Sequence, residues 1–282
     1  MSIKNTLLKF IIPTILFCGS FFLPLYNHSF DLQNLLNVVS FLFVIILGFF
    51  IAAATSNYLS FQSYLAEEDG TLISLYNMVK LIEPTLKNKI AELIDSYVID
   101  TLDYKLEEYV NYTQESYNKI IETVDEIGIN QNNQKNLTLF SYMHEIKGNL
   151  IKIRGNIALS AKRVVHKIHW IILILLSLIM EFLLLSIRDG NLLINIIIGV
   201  ITIILYLTLI LLYEIDNNVF LEKQLAYQDP QRIFKAIGKL PYYPEVAIKY
   251  HLIKRPTKSY RVGIYKNYPK SFEKTVKTIE KK

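Results

Sequence analysis

Four unbroken apolar blocks dominate the pattern of the chain. Residues 7–26 form the first, with Lys4 and Lys9 at its start. The second lies inside residues 32–66, a stretch without a charged side chain, and is most apolar at 35–55. The third covers 169–187 and is interrupted once, by Glu181; the fourth, 192–213, is uncharged throughout. Each is roughly 20 residues long, which at about 1.5 Å per residue matches the roughly 30 Å hydrocarbon core of a bilayer. The pattern predicts four membrane-spanning helices. The first block also resembles a signal peptide, with Cys18-Gly19 as a lipoprotein cleavage site. Such a site wants a small residue before the cysteine, whereas Phe17 stands there, and the apolar run continues through Phe21, Phe22 and Leu23. It is read as a span, with Pro13 and Pro24 bending or bounding it.

Between the second and third blocks the pattern changes to helical spacing. Leu86, Ile90, Leu93 and Tyr97 recur every three or four residues, and Leu102, Leu106, Tyr109, Thr113, Tyr117, Ile120, Val124 and Ile127 continue the series. Residues 128–136, rich in Asn and Gln, read as a turn. Leu139, Met143, Ile146, Leu150, Ile153, Ile157 and Val164 mark another long helix. No proline lies between Pro84 and Pro230, so the helix before span three is expected to run into it without a break; the helix after span two, with no stop other than Gly70, is expected to continue through 58–78. The expectation is an all-α membrane protein with a long helical insert. Its parts are a first hairpin (1–56), a cytoplasmic helical body (57–167), a second hairpin (168–213) and a cytoplasmic C-terminal region with a basic, aromatic tail (214–282).

Charge sets the orientation. The loop 27–34 has no Lys or Arg and the loop 188–191 has only Arg188, whereas Lys152, Arg154, Lys162, Arg163 and Lys167 precede span three and Lys223, Arg232, Lys235 and Lys239 follow span four. Both termini and the body are therefore expected in the cytoplasm, with the protein in the plasma or inner membrane. Acids and bases are segregated: residues 57–128 hold 14 acidic and 5 basic side chains, and residues 129–169 hold 1 and 7. This segregation is read mainly as bases near anionic headgroups and acids away from them, with attraction between the helices as the other reading. Residues 240–282 carry 11 Lys and Arg against 3 Glu, so the net charge of +5 comes from this segment. Lys249, Lys254, Arg255, Lys258, Arg261 and Lys266, interleaved with tyrosines, are expected to face the anionic lipid surface or plain solvent; nucleic acid is the less favoured partner.

The overall composition, 52% hydrophobic with a mean hydropathy of +0.29, excludes a disordered chain. A single cysteine excludes an internal disulfide. No phosphate loop, GxSxG, HExxH or CxxC occurs, so neither enzyme activity nor a cofactor is expected. His166 and His169, beside Trp170, read as an interfacial anchor rather than a metal pair. Asp95, Asp100, Asp103, Glu107 and Glu108 fail as a calcium loop, because Asp100 stands where the turn glycine belongs and Leu106 where the bidentate Glu belongs. They read as a solvated helix face. Glu181, twelve residues into span three, is a candidate site because an ionisable group at such depth is costly; pairing with Arg188 is its structural alternative. Asn195, Gly199, Thr202, Tyr206 and Tyr213 form a stripe on span four, and Gly48 and Ala52 a small-residue pair on span two; both read as packing faces.

The layout resembles that of the bestrophin-like membrane proteins. Three stretches carry the likeness: Leu65-Ala66-Glu67-Glu68 with Leu72 and Leu75-Tyr76, Trp170 at the entrance of span three, and Glu214-Ile215-Asp216 through Phe220. Asn218 and Val219 depart from the family's turn after span four, and 57–63 lacks the arginine expected there. The resemblance implies a homo-oligomeric ion channel in which copies of span two line the pore. Phe41, Ile45 and Phe49, four residues apart, are the candidates for its apolar neck. The competing expectation is a membrane-anchored interaction or scaffold protein without transport activity.

Overall fold

A computed structural model describes residues 3–22, 32–104, 108–128, 134–188, 190–219, 227–254, 256–268 and 271–281. Arg255, Glu107, Leu106, Phe220, Lys223 and parts of the expected loop 27–34 and turn 128–136 lie outside them. The chain divides into two compact units, one of Met1–Asn57 with Arg163–Asn217, the other of Tyr58–Lys162 with Asn218–Lys282.

The first unit contains α1 (Ile3–Phe22), the start of α2 (Leu32–Ile82), α7 (Lys167–Ser186) and α8 (Leu192–Asp216). Among the described residues α2, α7 and α8 are long and apolar enough to cross a membrane. On α2, Leu36, Val39, Phe43, Leu47, Phe50 and Ala54 recur at helical spacing and are buried; they pack with Leu173, Met180, Leu183 and Leu184 of α7 and Ile198 and Leu212 of α8. Asn191 caps α8, its side chain accepting from the Leu193 amide at 2.9 Å. The helix expected to run unbroken into span three is instead interrupted over residues 161–166. One carboxylate explains the break: Asp216 Oδ1 accepts from the amides of Val164 at 2.9 Å and Val165 at 3.0 Å, which frees them from helical bonding.

The second unit takes the rest of α2, which continues to Ile82 as one 51-residue helix. It adds α3 (Lys87–Asp103), α4 (Tyr109–Tyr112), α5 (Gln114–Asp125), α6 (Gln134–Ser160), α9 (Gln231–Ala236) and α10 (Glu245–Lys249). Its core joins Leu72, Leu75 and Val79 of α2, Ile90, Ile94 and Tyr97 of α3, Ile120 and Val124 of α5, and Met143 and Leu150 of α6 with Phe234 and Tyr242. The all-α expectation fails at the C-terminal end. Strands β1 (Tyr242–Pro244), β2 (Tyr260–Asn267) and β3 (Ser271–Ile279) form a sheet in that order, β1 parallel and β3 antiparallel to β2. Tyr260 and Val262 are buried at period two with Arg261 between them, the alternation of a half-buried strand. At Gly263 an added Cβ would lie 1.9 Å from the Tyr242 hydroxyl, so only glycine lets this ring lie against β2.

Candidate functional site: the span-two face and an intramembrane carboxylate

The buried stripe of α2 leaves its opposite face uncovered. Phe41 is 67% exposed, Ile45 52% and Phe49 67%. Gly48 and Ala52 share this side and are exposed; a Cβ built on Gly48 would meet nothing within 4 Å among the described residues. The three residues expected at a neck thus stand together on one free, wholly apolar helix face.

Glu181 sits on α7 with Thr202 of α8 opposite. Thr202 Oγ1 donates to Glu181 Oε2 at 2.8 Å, and Thr202 is almost completely buried. Glu181 Oε1 is buried without a partner. The alternative pairing does not form: Arg188 donates from Nε to the Leu185 carbonyl at 2.9 Å and from Nη1 to the Gly19 carbonyl at 3.4 Å. On the span-four stripe Asn195, Gly199 and Thr202 are buried, Tyr206 is half-buried, and Tyr213 is exposed with its ring 6.2 Å from that of Trp170. Sequence spacing marked Thr202 as a packing residue but did not pair it with Glu181. The His166 and His169 rings lie 5.7 Å apart, and His169 packs at 4.7 Å on Phe50. Among the described residues no group of three or more His, Cys, Asp or Glu side chains is arranged to hold a metal.

In the second unit the expected solvated acidic face holds only in part: Glu108 is exposed and Asp100 half-exposed, whereas two aspartates of α3 turn inward. Asp95 and Asp103 are buried. Arg261 holds Asp95 through two hydrogen bonds of 2.7 and 2.6 Å, and its side chain is mostly covered. Asp103 accepts from Tyr242 at 2.9 Å and also from Tyr265 and Lys274, and Lys274 reaches Asp100 at 3.0 Å. Burial pushes the Asp103 carboxyl above its ordinary value against the opposing pull of Lys274 and the two tyrosines. Basic strands and acidic helix neutralise each other here. Of the cations expected at a lipid surface, Arg261 is engaged in this way and Lys266 donates to Glu273 at 2.5 Å; Lys249, Lys254 and Lys258 are exposed.

A further polar cluster escaped the sequence reading. Tyr97 donates to Glu68 Oε1 at 2.6 Å, and Arg154 donates to Tyr97 at 2.7 Å, to the Val110 carbonyl at 2.5 Å and to Thr113 at 3.1 Å. The guanidinium lies 4.3 Å from the Tyr117 ring centroid. Burial holds the Tyr97 hydroxyl well above its usual range and pushes Tyr117 up to about 12. Glu68 stood out only within a family-like stretch and Arg154 only among the cations before span three; nothing local pairs them.

Three apolar helices of membrane-spanning length, packed through one face of α2, make this a helical membrane protein. A family model for the bestrophin-like domain matches residues 32–218, well over half of the chain, and the protein belongs to the bestrophin-like family. No curated protein and no solved structure matches the chain.

Proposed function

We propose that this protein is a homo-oligomeric ion channel of the cell membrane, with α1 as a fourth span, both termini cytoplasmic and the pore lined by α2. The uncovered apolar face of α2 carries the reading: Phe41, Ile45 and Phe49 point away from the chain's own core. A ring of copies with this face inward makes an apolar constriction, which passes or blocks ions by wetting and dewetting and needs no ring of charge. The chemistry is conduction rather than catalysis, without metal or cofactor, and the exposed lysines of the C-terminal region meet anionic headgroups.

Native mass spectrometry of the protein in nanodiscs tests the assembly, and ion flux into liposomes tests the neck. A closed ring of four or more chains and a larger flux for Phe49→Ala are expected. A monomer or dimer leaves no place for such a pore and returns the protein to the role of a membrane-anchored interaction module. Unchanged flux and gating across Phe41→Ala, Ile45→Ala and Phe49→Ala removes the neck assignment.

A further inference from the structure

The segment after α8 contains a cavity that conduction does not use. It has a volume of about 420 Å³ and is lined by Gln231, Arg232, Lys235, Lys239 and Pro241, so every charged side chain on its wall is a cation. Local sequence explains how they converge. Arg232 and Lys235 are three residues apart and share the outer face of α9, while Ile233, Phe234 and Ile237 are buried on the inner one. Gly238, at φ +77°, ends the helix: the Lys239 amide bonds back to the Phe234 carbonyl at 2.8 Å and the Gly238 amide to that of Lys235 at 3.3 Å. That reversal returns Lys239 to the wall formed by the other two. Gln231 fixes the base of the cavity, donating to the carbonyls of Tyr227 at 2.8 Å and Tyr242 at 3.0 Å and accepting from the Tyr242 amide at 3.1 Å.

These cations are lightly engaged within the protein. The Lys235 ammonium has no ion-pair or hydrogen-bond partner among the described residues. Arg232 reaches Asp229 only at 3.5 Å, with both side chains well exposed. Lys239 pairs with Glu92, whose side chain is itself exposed. Pairs open to solvent in this way contribute little and exchange readily for a stronger anion.

We propose that this cavity binds a phosphate-bearing anion, with Arg232 supplying a planar fork and Lys235 and Lys239 supplying point charges. Its volume is that of a small-molecule site, which takes a phosphorylated headgroup or small phosphoester as well as a bare diphosphate.

Isothermal titration of the full-length protein in mild detergent at low salt, with inorganic pyrophosphate as the probe, tests the site. One saturable site per chain is expected, weakened at least about tenfold in Arg232→Gln/Lys235→Gln by the loss of two charge-assisted contacts. Lys277→Gln, exposed on β3, should bind as the wild type does. Both replaced residues at the site are exposed, and an unchanged melting temperature confirms that the double variant is folded. A second arm reads lipid retention by native mass spectrometry from phosphatidylcholine nanodiscs containing phosphatidylinositol 4-phosphate. Selective loss of that lipid in the double variant assigns the anion to a lipid headgroup; equal retention with weakened pyrophosphate binding assigns it to a soluble phosphoester. The proposal is overturned if wild type and double variant bind both probes alike, or if Lys277→Gln weakens pyrophosphate as much as the double variant does.

Discussion

Replacing Arg154 by Met removes the centre of the buried network while keeping most of the side-chain volume. Arg154 and Glu68 are each 4% exposed and joined through the Tyr97 hydroxyl, so the substitution takes a buried positive charge from the neighbourhood of a carboxylate that water hardly reaches. It also takes the donor from Tyr97, Val110 and Thr113. Removing one member of such a buried ionic group costs about 3–5 kcal/mol. At about 1.4 kcal/mol per factor of ten, the amides of α3 and α6 that open with this unit should exchange with deuterium roughly 10²- to several 10³-fold faster. Adding Glu68→Gln removes the negative charge that Arg154 balanced, so the double variant should recover at least about 1 kcal/mol of the loss. Acceleration below about tenfold, or a double variant costing the full sum of the two single ones, would refute the view that Arg154 and Glu68 stabilise this unit as a pair.

Gly263→Ala drives a methyl group into the Tyr242 ring and separates its hydroxyl from Asp103; thermal unfolding should show a loss of about 1–3 kcal/mol, and a neutral result would contradict the close approach. Asp69→Asn should raise the melting temperature at pH 7. Burial, then repulsion from Glu68 and Asp229, holds the Asp69 carboxyl well above the ordinary value of 3.8, so the stability it contributes is full below about that pH and is lost as the pH rises through the folded-state value. The gap between variant and wild type should therefore close as the pH falls towards 4, and a gap that does not change with pH would show that the charge is not the cause.

What could be read from the chain alone was whatever depends on neighbours in sequence. Membrane-spanning length needs contiguous apolar residues, so α2, α7 and α8 stand out, and the lack of a helix stop other than Gly70 pointed to a helix continuing through residue 78; α2 runs on to Ile82. What stayed hidden depends on distant partners. The gap at residues 161–166 is made by a carboxylate about fifty residues later, Asp216. The acids of α3 looked solvated because Arg261 and Lys274, which neutralise them, lie more than 160 residues away. The same distance hid the strands within the basic tail. Glu181 was conspicuous by its depth, but Thr202 became its partner only when the α7–α8 hairpin closed.

Because α3 is completed by residues from the far end of the chain, its acids have a history during synthesis. Asp103 leaves the ribosome 139 residues ahead of Tyr242 and 171 ahead of Lys274. At 5–20 residues per second that is an interval of roughly 7–35 s. Throughout it three carboxylates on α3 remain hydrated and the helix cannot bury them, while α7 and α8 are already being made and delivered to the bilayer. The strands therefore join the second unit last, after α7 and α8 have been translated, and a premature stop before Arg261 leaves Asp95, Asp100 and Asp103 without Arg261 and Lys274.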